Sequence, residues 1–350
     1  MVFWLIPGIA VAQYTVERSS TEVIDTEAST ELKLENKYGD VNISTWSSSK
    51  MEFTFLFKVR KNDEDDAEEL LERINPVVSN FGRYVSVRTE IEKKSAGFFG
   101  RLLSDISVDI DKSDIEIDIN VKIPMYTELE LTNEFGDVII SDWSGKLRSK
   151  IKHGDLHVTE SIKDAELEHN YGRIKMVNVK NAELDFRNVR FQSDTIEDLR
   201  LISHGSEVDI ESVDFLDINS NKDELRIKRI KRVKGELKFG NAILDVVEEE
   251  IYLDLRVADL RVSKVVNPSP NIYLNEQNSD VDINISGLEF DLDANMEGGI
   301  FRLPETAKDV ESIVLDVKSN HRTITAKYGI AKDGKIKLEG KKGFVILREL

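Results

Sequence analysis

The sequence predicts a mainly β protein: a parallel β-solenoid of about 18-residue coils with a small α/β cap containing one helix. Three observations predict it. Apolar residues alternate with charged ones along most of the 350-residue chain, the period-2 mark of strands with one buried face. From residue 131 onward turn residues recur at a spacing near 18, the mark of stacked repeats. One twelve-residue stretch is also written twice: NKYGDVNISTWS at 36–47 returns as NEFGDVIISDWS at 133–144.

Residues 1–12, MVFWLIPGIAVA, read as a signal peptide. They are apolar, too short to cross a bilayer, and end in the small-x-small pattern Ala10-Val11-Ala12. A basic n-region is missing, but Pro7-Gly8 argues against a buried strand. The expected location is therefore exported, in the periplasm or at the cell surface of a Gram-negative bacterium. No later run has the length of a transmembrane helix.

Residues 13–30 form an N-terminal extension, and 31–126 hold a first coil plus the α/β cap. Leu32, Leu34, Val41 and Ile43 alternate with polar residues, as do Phe53, Phe55 and Phe57. Within 62–80, Ala67, Leu70, Leu71 and Ile74 fall at helical spacing behind an acidic first turn that suits the helix dipole. Pro76 is expected to end or kink that helix. The stretch 93–104, KKSAGFFGRLLS, reads as a loop whose Phe98 and Phe99 either fold back or form a patch for a partner. Ile115 to Ile123 alternate again, closed by Pro124.

Residues 127–300 carry the solenoid. Gly136, Gly154 and Gly172 are evenly spaced, and Gly205 and Gly240 follow at about two units each. Ala258-Asp259, Ser279-Asp280 and Gly298-Gly299 continue the row, with Asn267–Pro270 as an insertion. Tyr38, Phe135, His153, Tyr171, His204 and Phe239 precede the turn points, so stacked rings are expected there. Residues 301–350 form C-terminal strands or a cap.

The doubled stretch then reads as a coil signature. Gly39 and Gly136 permit positive φ. Asp40 and Asp137 can bond turn backbone. Trp46 and Trp143 are placed to cover the next corner, and Gly154 and Gly172 repeat the turn. The simplest topology starts a coil at 31–47, leaves it for the cap at 51–124 and resumes stacking at 127.

The pattern Leu-x-Leu, Asn-x-aromatic-Gly-Asp-Val-x-Ile, then Trp resembles the exported bacterial β-strand-repeat proteins known as putative adhesins, of the auto-transporter adhesin head type. The likeness covers residues 31–60 and 127–300. It implies export, a right-handed solenoid-like fold and no catalytic residues to carry over. The stretch 185–191 departs from the glycine-aspartate pattern.

Composition narrows function. A formal charge of −18 repels nucleic-acid phosphates and anionic lipid. Zero cysteines exclude disulfides, thiolate metal sites and a cysteine nucleophile. The five histidines, 153, 157, 169, 204 and 321, show no helical metal pair. Repeated turn aspartates could ligate calcium, but turn chemistry explains them without a metal. Serine-hydrolase and phosphate-cradling motifs are absent, so no cofactor, metal or catalytic residue is assigned.

The sharpest anomaly is the basic run Arg226, Lys228, Arg229, Lys231, Arg232 and Lys234. It suggests a polyanion site, yet a shift of one period sets it against Glu211, Asp214, Glu249 and Glu250. A structural charge ladder is favoured on that pairing. The expected function is a non-enzymatic interaction or envelope-structural module whose partner is a protein or surface polysaccharide. Two alternatives stand beside it: a polysaccharide-active enzyme, and a periplasmic signalling partner docking through the cap or the Phe98–Phe99 loop.

Overall fold

The structure, a computed structural model, describes residues 13–27, 30–92, 114–330 and 333–350. The expected signal peptide and the Phe98–Phe99 loop lie outside the described residues. The chain divides into two compact units, Met1–Ser141 and Asp142–Leu350. Both are mainly β.

The first unit runs β1 (Tyr14–Asp25), β2 (Glu31–Tyr38), β3 (Val41–Trp46), β4 (Lys50–Lys61), α1 (Glu64–Glu72), β5 (Ile74–Asn80), β6 (Tyr84–Ile91), β7 (Ile115–Pro124), β8 (Glu128–Phe135) and β9 (Val138–Ser141). The doubled stretch pairs with itself. β2 lies parallel to β8, with Leu32 opposite Leu129, Leu34 opposite Leu131, Asn36 opposite Asn133 and Tyr38 opposite Phe135. β3 lies parallel to β9 in the matching register, Val41 opposite Val138 and Ile43 opposite Ile140. On their other sides β2 takes β6 and β3 takes β7. β4 runs antiparallel to β1 and β7, and its Phe53, Phe55 and Phe57 are fully buried.

Asp63 caps α1, accepting from the Asp66 N–H at 3.2 Å, and the helix buries Ala67, Leu70 and Leu71. It is shorter than the spacing predicts. It closes at Arg73, and residues 74–80 form β5, antiparallel to β6. Ile74, Val77 and Val78 are β-branched and favour the strand. Pro76 is tolerated because β5 pairs, among the described residues, on one side only.

The second unit comprises β10 (Lys146–Lys152), β11 (Leu156–Val158), β12 (Ile162–His204), β13 (Glu207–Asn221), β14 (Glu224–Lys238), β15 (Asn241–Arg256), β16 (Asp259–Val262), β17 (Asn271–Gln277), β18 (Asp280–Asn284), β19 (Phe290–Glu297), β20 (Ile300–Arg302), β21 (Lys308–Asp316), β22 (His321–Tyr328), β23 (Lys335–Lys341) and β24 (Phe344–Arg348). From β10 to β18 successive segments pair in parallel with those that follow. Facing residues are 18 apart at Arg148 and Glu166, 17 apart at Arg190 and Glu207, and 21 apart at Ala258 and Ser279. The uniform spacing of 18 is thus tightened by one residue across β12–β14. A bulge between Ile230 and Arg232 restores the longer spacing in β15.

The end of the unit is not sequential. β23 lies between β17 and β19, and β24 between β18 and β20, all parallel. β22 then pairs antiparallel with β19, and β21 antiparallel with β22.

The corners of these segments repeat as backbone rather than as sequence. His153, Tyr171, Asn188, Gly205, Lys222, Phe239, Val257 and Asn278 all have φ between 51° and 64°. Most donate their N–H to the following segment, as Lys222 does to Lys238 O at 2.8 Å and Phe239 to Arg256 O at 3.0 Å. Rings do stack where two aromatics are adjacent: His153 on Tyr171 at 5.0 Å, and Tyr38 on Phe135 at 6.0 Å. His204 is not in the column. Gly205 holds the left-handed position there, so the reading that aligned it with Gly154 and Gly172 is off by one residue.

Candidate binding face

Residues of the doubled stretch hold corners in two ways. Asp40 does not close its own turn. Asp40 Oδ1 accepts from the Asp137 N–H at 2.8 Å, and Asp118 Oδ1 accepts from the Asp40 N–H at 2.8 Å. Each carboxylate therefore holds the neighbouring corner. Asn36 and Asn133 close the turns, donating to Gly39 O at 3.0 Å and Gly136 O at 2.8 Å. Trp143 is buried, while Trp46 is half-exposed and donates to Lys50 O at 2.7 Å.

In the second unit a buried histidine serves a corner. His169 Nε2 donates to Gly154 O at 2.9 Å, the carbonyl closely approached by Gly172. Burial lowers the His169 pKa to about 4. Burial alone would raise the nearby Asp155, but hydrogen bonds from Arg173 outweigh it and hold that carboxyl below its usual range. Glu276, also buried, is pushed up by burial against hydrogen bonds from the backbone of Ser279, Gly343 and Lys341. All three lie at corners between neighbouring segments. Among the described residues no three His, Asp or Glu side chains gather as metal ligands.

The basic run lies on β14 and meets acids at 17 residues rather than 18 for its lysines. Lys228 pairs with Glu211, and Lys231 with Asp214 at 2.6 Å. Lys234 pairs with Asp217 at 3.1 Å, Arg229 with Glu248 at 2.9 Å and Arg232 with Glu249 at 3.3 Å. Hydrogen bonds donated to Glu211 and Asp214 raise the Lys228 and Lys231 pKa values. Arg226 is exposed, opposite Asp209 on β13.

Folding separates these side chains. Ile227, Ile230 and Val233 are buried three apart, so the strand turns corners between them and neighbouring basic residues leave in different directions. Arg232 and Lys234 alone of the run line a groove of about 880 Å³. Two of its rows are set by register: Asp198 opposite Phe215 opposite Arg232 opposite Glu250, and Arg200 opposite Asp217 opposite Lys234 opposite Tyr252. Arg232 lies 4.0 Å from the Phe215 ring centroid, a cation–π contact. Tyr252 is exposed and stacks on Tyr273 at 6.5 Å, with Lys337 over the latter ring at 5.7 Å. Sequence reasoning missed Phe215, Tyr252 and Arg200. For Tyr252 the signal is its recurrence as Tyr273 at one register position, while Phe215 and Arg200 join it only through the register of neighbouring rows.

This chain is similar to several solved structures. A putative cell adhesion protein from Clostridium sporogenes is 10% identical, covering 96% of this chain and 100% of its own, with a TM-score of 0.25. A putative adhesin from Parabacteroides merdae is 12% identical, covering 76% and 92%, with a TM-score of 0.36. A putative lipid binding protein from Parabacteroides distasonis is 13% identical, covering 74% and 96%, with a TM-score of 0.30. No protein-family model matches the chain, and no curated protein does. No helix among the described residues is long and apolar enough to cross a membrane.

Proposed function

We propose that this protein is a non-enzymatic, exported β-solenoid of adhesin-like character, and that it holds a carboxylate-bearing surface polysaccharide along the outward sheet face of its second unit. The groove carries the reading. Extended polymer chains suit a shallow trough crossing several parallel strands. Among Glu183, Asp198, Asp217 and Glu250, Arg200 supplies a fork-like donor for a carboxylate, and Arg232 and Lys234 keep N–H donors beyond their pairs with Glu249 and Asp217. Phe215 and Tyr252 supply apolar ring surface for sugar C–H groups. The solenoid reading is supported by parallel pairing at 17, 18 and 21 residues and by the column of left-handed corners.

Retention on immobilised alginate tests the proposal. The wild-type chain should be retained, and Arg200→Glu combined with Tyr252→Ala should elute early with unchanged circular dichroism. Equal retention of wild type and variant would contradict it, as would no retention of either.

A further inference from the structure

The strand β21 departs from the alternation that most strands of the second unit show. β10, β13 to β19 and β23 each alternate buried with solvent-facing residues. β21 is exposed at all nine of its positions. The strand is not polar. Val310, Ile313, Val314 and Leu315, with Val317 just beyond it, are between 53% and 84% exposed. Among the described residues it pairs with β22 alone, so its other edge presents unused backbone N–H and C=O groups.

The buried layer runs straight out to that edge. Met296 and Ala294 on β19 are fully buried; they face Arg322 and Ile324 on β22, which in turn face Val314 and Ser312 on β21. The core side of the sheet therefore ends on Val314 in solvent. Stacked-repeat proteins need a polar cap at their ends, and a long apolar edge strand is a template for pairing with another chain.

We propose that β21 is the surface through which two copies of this chain associate, edge to edge and antiparallel, across a two-fold axis at Ser312. The face of the strand that continues the buried layer is complementary to itself about that residue, while the other face sets Glu311 against Ile313 and Asp309 against Leu315. Antiparallel pairing there sets Val310 against Val314 of the second copy, and Lys308 against its Asp316, twice each by symmetry. Opposed apolar and opposite-charge pairs are the units that stabilise such a pairing. Bulges between Lys308 and Glu311 and between Val314 and Asp316 flank the axis on either side.

The full chain should sediment as a dimer at micromolar concentration. Ile313→Lys combined with Val314→Lys should weaken association by about tenfold or more. Both side chains are exposed, so folding is not at risk. The chain has zero cysteines, so Ser312→Cys introduces the only thiol. Under mild oxidation it should give a covalent dimer across the axis. A wild-type chain that stays monomeric, a dimer indifferent to the double lysine variant, or a dimer that Ser312→Cys fails to cross-link would each overturn the proposal.

Discussion

Two sets of corners in this molecule do the same job with different chemistry. In the first unit the stacked copies at 36–47 and 133–144 turn on glycine, with φ of 128° at Gly39 and 131° at Gly136. A Cβ on Gly136 would lie 2.1 Å from the Gly39 carbonyl oxygen, so backbone packs on backbone and no side chain fits. In the second unit the turning residue takes φ near 55° and its side chain leaves the stack. Tyr171, Phe239 and Val257 occupy that position and are exposed. The difference teaches that glycine marks close approach between neighbours, not the corner itself. Where approach is looser, the corner accepts almost any residue and pays with strain.

The largest expected effect separates the two sets directly. Gly136→Ala should cost on the order of 3 kcal/mol or prevent folding, because a left-handed backbone and a backbone collision act together. Val257→Asn should instead stabilise by up to about 1 kcal/mol, since a β-branched residue at φ 52° is strained and asparagine tolerates that region. Urea denaturation of both variants checks the pair. Equal effects of the same sign would erase the distinction between the corners.

A smaller effect concerns corners closed by side chains. Asn133 and His169 each donate to a corner glycine carbonyl, but only the histidine titrates. Its folded pKa of about 4 lies below the ordinary 6.5. The unfolded chain therefore takes up the proton first as pH falls. Stability is complete above pH 6.5 and declines toward pH 4, by at most about 3 kcal/mol from this group. His169→Asn should keep the corner bond and flatten that part of the pH profile, measured by thermal melts between the two values. An unchanged acid-side slope would show that His169 is not its source.

The same contrast explains what the sequence made legible. Alternation placed the strands of Phe53 to Phe57 and of Ile115 to Ile123, because one buried face imposes a period of two. Gly-Asp-Val found the corners where backbones collide. It failed at Asn188 and Val257, where a positive φ leaves no compositional trace, and that blurred a spacing of 17 into 18. The helix was overextended because Ile74 continues the helical spacing while its β-branched neighbours favour β5. At the candidate face the basic run was visible, but its dispersal by corners was not. Arg232 and Lys234 join Arg200, Phe215 and Tyr252 through register alone. The exposed edge of β21 looked like any other strand, since alternation cannot reveal which strand lacks a neighbour.

Register is the claim on which the corners and the candidate face both depend, and a cysteine-free chain allows it to be measured. Glu207 and Glu224 face each other on β13 and β14, both exposed. Adjacent strands lie about 4.8 Å apart, within the Cα separation that a disulfide spans. Glu207→Cys combined with Glu224→Cys should close an intramolecular disulfide under mild oxidation with the β signature intact. A double variant that keeps two free thiols while folded would contradict parallel stacking at 17 residues.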